Sequence, residues 1–367
     1  MKILVTGASG FIGKNLCIRL TELGYDDLVK VGSDTSRKDL ATLLKDVDFV
    51  YHLAGINRTQ KEDDFYKGNA ELTAFIADEL AKSDNKTPIM LSSSTQAIND
   101  NAYGISKAAA ESAIESYAEH TGANYFIYRL QNVFGKWCRP NYNSFVATFC
   151  HNLVIGADIS VHDPKAPVSL VYIDDVCEEL LSLLGGKQSS GFRSVKQEYQ
   201  TTVGEVASIL HSFTSNRESL VTERVGTGLT RALYSTYLSY LPASKFSYQV
   251  PRYSDERGTF CEMLKTKDSG QFSFFTAHPG ITRGGHYHHS KNEKFLVIKG
   301  KALYKFKHII TGEYFELHVT SDESTIVETI PGWTHDITNI GDNELIVMLW
   351  ANEIFDRDAP DTIARSL

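Results

Sequence analysis

Ile3-Leu4-Val5-Thr6-Gly7-Ala8-Ser9-Gly10-Phe11-Ile12-Gly13 sets a short apolar run directly before three glycines at intervals of three, and a helical pattern from Ile12 to Leu23 follows. The order is strand, turn, helix. Glycines spaced this way let backbone N–H groups and a helix N-terminus come close to a pyrophosphate. Gly7, Gly10, Phe11, Ile12 and Gly13 are therefore the candidate cofactor-binding turn. Working outward, Phe49-Val50-Tyr51, Ile89-Met90-Leu91 and Tyr125-Phe126-Ile127-Tyr128 alternate with helical patterns over Asn69 to Lys82 and Ser106 to Glu119. That alternation predicts an α/β fold, a doubly wound parallel sheet covered by helices on both faces.

From about Gly258 the texture changes. Gln271 to Ala277, Phe295 to Ile298, Ala302 to Lys307 and Leu345 to Trp350 are rich in β-branched and aromatic residues and are separated by Gly, Asn and Asp turns. An all-β barrel or double sheet is expected there. The join is expected at Leu241 to Pro251, where two prolines flank Ala243-Ser244-Lys245-Phe246, giving domains at 1–243 and 252–367. There is no internal repeat.

The bulk numbers exclude several classes. A chain of 367 residues with 42% hydrophobic and 22% charged residues has the composition of a globular protein. No apolar run approaches the roughly 18 residues of a membrane helix. The N-terminus lacks the regions of a signal peptide, so a cytoplasmic protein with no membrane partner is expected. The five cysteines (Cys17, Cys138, Cys150, Cys177, Cys261) have no C-x-x-C spacing and read as idle thiols in a reducing compartment. A net charge of -8 gives no basic footprint for nucleic acid.

Two constellations carry chemistry. Tyr103-Gly104-Ile105-Ser106-Lys107 places a phenol and an ammonium at i and i+4 on one helix face, where the ammonium can lower the phenol pKa. Ser94 upstream can hydrogen-bond the same carbonyl oxygen. A lone Tyr-x-x-x-Lys would read as surface residues; with the glycine turn in register it reads as an acid–base site. In the last third, His286 and His288 project to one face of a strand, and Glu293 and the distant His335 complete a tetrahedral or open octahedral metal site. Any one of the twelve histidines would be unremarked, and His278, His289 and His308 need bind nothing. The combined spacing favours metal, with Zn2+ (zinc) suited to these ligands and Fe2+, Mn2+ and Ni2+ left open.

Residues 1 to about 243 resemble the extended short-chain dehydrogenase/reductases of nucleotide-sugar type, which have a Rossmann-type fold. His52-Leu53-Ala54-Gly55, Leu91-Ser92-Ser93-Ser94, Tyr128-Arg129-x-x-Asn132-Val133-Phe134-Gly135 and Val171-Tyr172-Ile173-Asp174-Asp175-Val176 stand in that family's order. The resemblance implies Tyr103 as acid, Lys107 holding the ribose and tuning the phenol, and Ser94 orienting the substrate oxygen. It further implies Asn69 as a structuring residue, Leu53, Ala54 and Gly55 beside the cofactor, and Asn132 on the sugar. Two features depart from the pattern: a shortened gap from Ser94 to Tyr103 and a compressed segment from Val31 to Leu40. After the second strand an acid suits NAD, whereas a basic or hydroxyl-rich loop suits the 2′-phosphate of NADP. Ser33, Thr35, Ser36, Arg37 and Lys38 around Asp34 point to NADPH with Arg37 on the phosphate. Asp34 leaves NADH open.

Residues 252–367 resemble a cupin, a jelly-roll domain, and Arg283-Gly284-Gly285-His286 is similar to the sugar-nucleotide 3,5-epimerases of that superfamily. There the resemblance implies Arg283 on the nucleotide phosphates and His286 as base. Whether His286 is ligand, base, or base of a metal-free site stays open. The whole chain resembles the CapF-type bifunctional capsular polysaccharide enzymes, through Gly135-Lys136-Trp137-Cys138, Asn141-Tyr142-Asn143-Ser144, Leu233 to Pro242 and Asn292 to Val297. That resemblance implies a UDP-2-acetamido-2,6-dideoxy-4-keto-hexose substrate. The cupin would invert C3 and the reductase would reduce C4 with NADPH, giving UDP-2-acetamido-2,6-dideoxy-L-talose on the way to UDP-N-acetyl-L-fucosamine. Arg139, Asn143 and Ser144 are candidates for the diphosphate or uridine, with ordinary loop polarity an equal reading for Arg139 and Ser144. Lys294 is either a phosphate contact or a solvated strand residue, and a homodimer is expected. The rival readings are a single-function reductase with a structural or dimerising cupin, a non-enzymatic NADP sensor, and a dehydrogenase fused to a cupin dioxygenase.

Overall fold

The computed structural model describes residues 1–83, 85–186, 188–250, 253–255, 258–260, 264–266, 270–353 and 358–367. Cys261 and Pro251, both singled out in the sequence, lie outside these. The chain forms two compact units: residues 1–134, 138–145 and 168–201 make one, and residues 135–137, 146–167 and 202–367 the other.

In the first unit six parallel strands run in the order Leu28–Val31, Ile3–Thr6, Phe49–His52, Ile89–Ser94, Tyr125–Leu130 and Gly191–Arg193. The central strands are apolar along their length because they are covered on both faces. Leu4, Val50 and Ile127 are fully buried and pack with Ile76 and Ile114 from two helices. The first of these helices, Leu72–Ala81, is preceded by a π-helical stretch, Tyr66–Glu71, which carries Asn69. The second spans Ala102–Thr121, four residues ahead of the start expected at Ser106. Asn101 is the reason: its side chain accepts from the Gly104 N–H and caps the helix, so Tyr103 and Lys107 both lie inside it.

The second unit holds two antiparallel sheets of five strands. One runs Ser247–Gln249, Thr325–Glu328, Glu293–Lys299, Leu345–Ala351, Gln271–Ala277; the other runs Tyr314–Thr320, Lys301–His308, Trp333–Asn339, Thr282–Tyr287, Ile363–Ala364. The segment read as a join contributes to this fold. Phe246 is fully buried, 4.9 Å from the Trp333 ring and 5.5 Å from Phe306, and Ser247–Gln249 is an edge strand.

Lys294 is neither solvated nor at a phosphate position. It is buried, 2.7 Å from Glu328, and donates to the Tyr248 hydroxyl at 2.9 Å, while Arg217 reaches the other oxygen of Glu328. Burial alone would disfavour the ammonium, but the Glu328 charge raises its pKa above the ordinary lysine value. Glu328→Ala leaves two cations without their anion and is expected to destabilise this unit by about 3–5 kcal/mol. Guanidinium unfolding followed by tryptophan fluorescence checks this, and a loss below about 1 kcal/mol would contradict it.

Candidate functional site

The glycine turn is built for close approach. Gly7 has φ +64°, and a Cβ there would lie 2.8 Å from the Ala54 backbone nitrogen. That nitrogen and the Leu53 N–H both donate to the Thr6 hydroxyl oxygen, each at 3.1 Å. With its acceptor side occupied, the Thr6 O–H points at His52 Nδ1, 2.7 Å away. His52 Nε2 then carries the proton and donates to Thr73 Oγ1 at 2.9 Å, and the Thr73 hydroxyl donates to the Asn69 carbonyl. Complete burial drives the His52 pKa down to about 3, so this relay is neutral and rigid. It fixes the Leu53-Ala54-Gly55 turn against Gly7.

Asn69 pins the same turn from the other side: its Oδ1 accepts from the Ile56 N–H at 2.8 Å, and its Nδ2 donates to the Ile56 carbonyl and to Ser106 Oγ. A Cβ on Gly55 would lie 2.7 Å from Asn69 Oδ1 and 3.5 Å from Lys107 Nζ, so only glycine fits between them. Tyr103 and Ser94 come together in a side-chain hydrogen bond, and Phe65 packs edge-on to the Tyr103 ring at 5.5 Å. The expected lowering of the phenol by Lys107 is not what the site shows. Burial raises the Tyr103 pKa, with only the Ser94 bond opposing it, while the Lys107 ammonium donates to the Ser92 carbonyl at 2.8 Å. Burial lowers the Lys107 pKa to about 8, with Glu111 opposing.

The other candidate positions make contacts of their own. Arg37 lies 4.0 Å from Glu71 and stacks over Phe75 at 4.9 Å, with its side chain half exposed. Asn132 donates to the Ser169 carbonyl at 3.2 Å, Arg139 stacks over Tyr142 at 5.5 Å, Ser144 bonds the Cys138 thiol, and Asn143 is exposed.

In the second unit the four expected ligands meet. One donor atom from each of His286, His288, Glu293 and His335 lies within 4.8 Å of the others. Strand pairing sets this up, because His286 stands opposite His335 in one sheet while Glu293 opens a strand of the other sheet. His286, Glu293 and His335 line a cavity of about 210 Å³ with Arg283, Tyr304 and Phe306. A carbonyl can only accept, so His288 Nδ1 donates to the Asp361 carbonyl and its Nε2 faces Glu293 Oε2 at 3.3 Å. His335 Nδ1 likewise faces the Trp333 carbonyl at 3.4 Å, leaving a buried Nε2 without a partner, 3.6 Å from the same carboxylate oxygen. Burial lowers the His335 pKa, so that nitrogen is a bare lone pair. Burial, then His335 and His288, lowers His286 to about 4. Neutral imidazole lone pairs converging on a carboxylate are a donor set that a divalent cation fits. Burial would raise the Glu293 pKa, but the neighbouring His288 and His335 and the Lys291 ammonium hold it well below the usual carboxylate range.

Residues 3–191 match the family model described as NAD dependent epimerase/dehydratase family, and residues 253–363 match the one described as polysaccharide biosynthesis C-terminal domain. The chain belongs to the NAD dependent epimerase/dehydratase family. Over its whole length it is 54% identical to a Pseudomonas aeruginosa protein, UDP-2-acetamido-2,6-beta-L-arabino-hexul-4-ose reductase, of which it covers 99%. It is also similar to the crystal structure of the capsular polysaccharide assembling protein CapF from Staphylococcus aureus. That structure is 39% identical with TM-score 0.68, and the whole of both chains is covered. UDP-N-acetylglucosamine 4-epimerase from Bacillus cereus aligns with 59% of this chain and 82% of its own, at 25% identity and TM-score 0.52.

Several residues escaped the sequence reading. Thr6 and Thr73 gave no signal beyond their positions, and Asp361 lies 70 to 72 residues from the backbone groups its carboxylate binds. Lys291, which reaches Glu293 Oε1 at 3.0 Å, was visible only as a charge beside a suspected ligand. Tyr304 sends a fully buried hydroxyl, without a hydrogen-bond partner, toward the C-terminal cavity.

Lys107 gives a stability prediction. A folded pKa near 8 against 10.5 unfolded means that burying the charge costs about 3 kcal/mol below pH 8. Between pH 8 and 10.5 the unfolded chain binds more protons, so the cost fades as pH rises. Lys107→Met is expected to raise stability at pH 7, with the advantage over the native chain shrinking toward pH 10. Denaturant unfolding at the two pH values measures it, and a pH-independent difference would count against the assignment.

Proposed function

We propose that the chain is a bifunctional UDP-sugar enzyme. In this reading the C-terminal sheets, a cupin-type domain, epimerise C3 of a UDP-2-acetamido-2,6-dideoxy-4-keto-hexose. The N-terminal domain then reduces the C4 ketone with NADPH to UDP-2-acetamido-2,6-dideoxy-L-talose, on the route to UDP-N-acetyl-L-fucosamine for capsular polysaccharide. The observation that carries the reductase half is the Tyr103–Ser94 hydrogen bond, with Tyr103 on the helix that also carries Lys107 to Gly55. The full-length likeness to a hexul-4-ose reductase supports the same half.

A reduced nicotinamide supplies hydride to the ketone carbon. Tyr103 then donates its phenolic proton to the forming alkoxide, and Ser94 holds that oxygen in line. The raised phenol pKa keeps Tyr103 protonated until the alkoxide develops. Lys107, charged below pH 8, steadies the phenolate left behind, and the Thr6–His52–Thr73–Asn69 relay keeps the turn around Gly55 from yielding.

In the C-terminal cavity a 4-ketone acidifies the neighbouring C3–H. His286 is the least buried of the four clustered groups, and its pKa of about 4 keeps it neutral at pH 7. It takes the C3 proton, leaving an enolate that is reprotonated from solvent on the opposite face, while His288, Glu293 and His335 form the three-residue holder for a divalent ion. The ion, Zn2+ in this reading, supplies Lewis acidity toward a carbonyl oxygen. Arg283, on the cavity wall over the Phe275 ring, offers its guanidinium to the diphosphate.

Two measurements separate the halves. Tyr103→Phe is expected to cut NADPH oxidation with the keto-sugar by at least about 100-fold, and a native rate would remove the reductase assignment. In D2O without NADPH, NMR should show deuterium entering C3 with the native protein. With His286→Gln it should not, although the metal is retained. Loss of metal in that variant would make His286 a ligand, and no deuterium with the native protein would leave a single-function reductase.

A further inference from the structure

We propose that Asp361 is the positioning residue that assembles the ligand turn, so that the last segment of the chain acts as a latch on the C-terminal site. The inference rests on the metal reading above and adds a residue to it. His288 follows one strand and Glu293 opens the next, and the turn between them must hold both donors while its own N–H groups are buried with it. Asp361 supplies the acceptors. Its Oδ1 accepts from the His289 N–H at 2.8 Å, and its Oδ2 accepts from the Ser290 N–H at 2.7 Å, the Lys291 N–H at 2.7 Å and Ser290 Oγ at 3.0 Å. A charged carboxylate has lone pairs enough for four donors; an asparagine in its place would turn an NH2 group toward N–H donors.

The same residue acts through its backbone. Its carbonyl accepts a hydrogen bond from His288 Nδ1–H and thereby points Nε2 at Glu293. Fixing a ligand's tautomer from behind is how a surrounding shell tunes a metal site. Holding the Lys291 backbone also delivers its ammonium to Glu293 Oε1, which leaves Oε2 as the oxygen facing the two imidazoles. Beyond Asp361 the segment continues along the site: Ile363 pairs with Tyr287, Ala364 pairs with His286, and the Arg365 N–H donates to the Gly285 carbonyl at 2.8 Å. Three of the four clustered groups are thus braced by five consecutive residues at the far end of the chain.

The test uses the full-length protein stripped of metal with a chelator, then titrated with cobalt(II) against a chromogenic competitor. Asp361→Asn is expected to weaken cobalt binding by about 10- to 100-fold. The visible cobalt bands should weaken at a temperature where circular dichroism shows the stripped variant still folded, although losing acceptors for the buried turn lowers its unfolding midpoint. Affinity within twofold of native overturns the latch and leaves the metal reading intact; a native protein that binds no cobalt overturns both. If the variant fails to fold, hydrogen exchange on the native chain decides. Linkage requires cobalt to protect residues 358–367 together with 286–292, and unchanged exchange in 358–367 overturns the proposal.

Discussion

Glu293 is a carboxylate with almost no access to water, and the second unit is arranged around the need to keep it charged. Its Oε2 faces two imidazole nitrogens, its Oε1 meets Lys291, its N–H donates to the Thr329 hydroxyl and its carbonyl accepts from the Thr329 N–H. Desolvating one anion without such partners costs several kcal/mol, of the order of the stability of a whole domain. The neighbouring residue repeats the problem with opposite sign, since Lys294 is buried against Glu328. Because residues alternate across a strand, one charge serves the cavity and the next the packing behind it.

The first unit solves its polar burial differently. Its buried groups are neutral wherever they can be: His52 is held uncharged between two hydroxyls, and the chain of donors ends on a backbone carbonyl. Glu111 and Glu179 are buried in ion pairs with Arg129 and Arg193, whereas Lys107 is charged and nearly excluded from water beside Gly55. A strained electrostatic position maintained at a local cost is what functional sites tend to show.

What could be read from the sequence was what depends on short spacing. The glycine turn, Tyr103 with Lys107, and His286 with His288 are fixed by helix and strand periods; Tyr103 and Lys107 lie in one helix, and His286 and His288 fall in one cluster of donors. Glu293 was legible because a short turn follows the first pair, and the distant His335 because it completes a ligand set with them. The helix start was misplaced because Asn101 was not taken as a cap. The phenol shift was taken with the wrong sign, because spacing shows that two groups share a face but not how much water reaches them. Asp361, the Arg217–Glu328–Lys294 cluster and the Thr6–His52–Thr73 relay depend on pairings between distant segments, which no local pattern records.

The burial of Phe246 and the edge strand Ser247–Gln249 bear on how such a chain could have arisen. Two ancestral genes joined at a slack tether would leave a junction that recombination can cut and reuse. Here residues 202–250 are packed with the C-terminal sheets, and the chain passes between the two units more than once. Exchange of a complete C-terminal half by crossover at the proline-flanked segment would strand a core phenylalanine and strip a sheet of its edge.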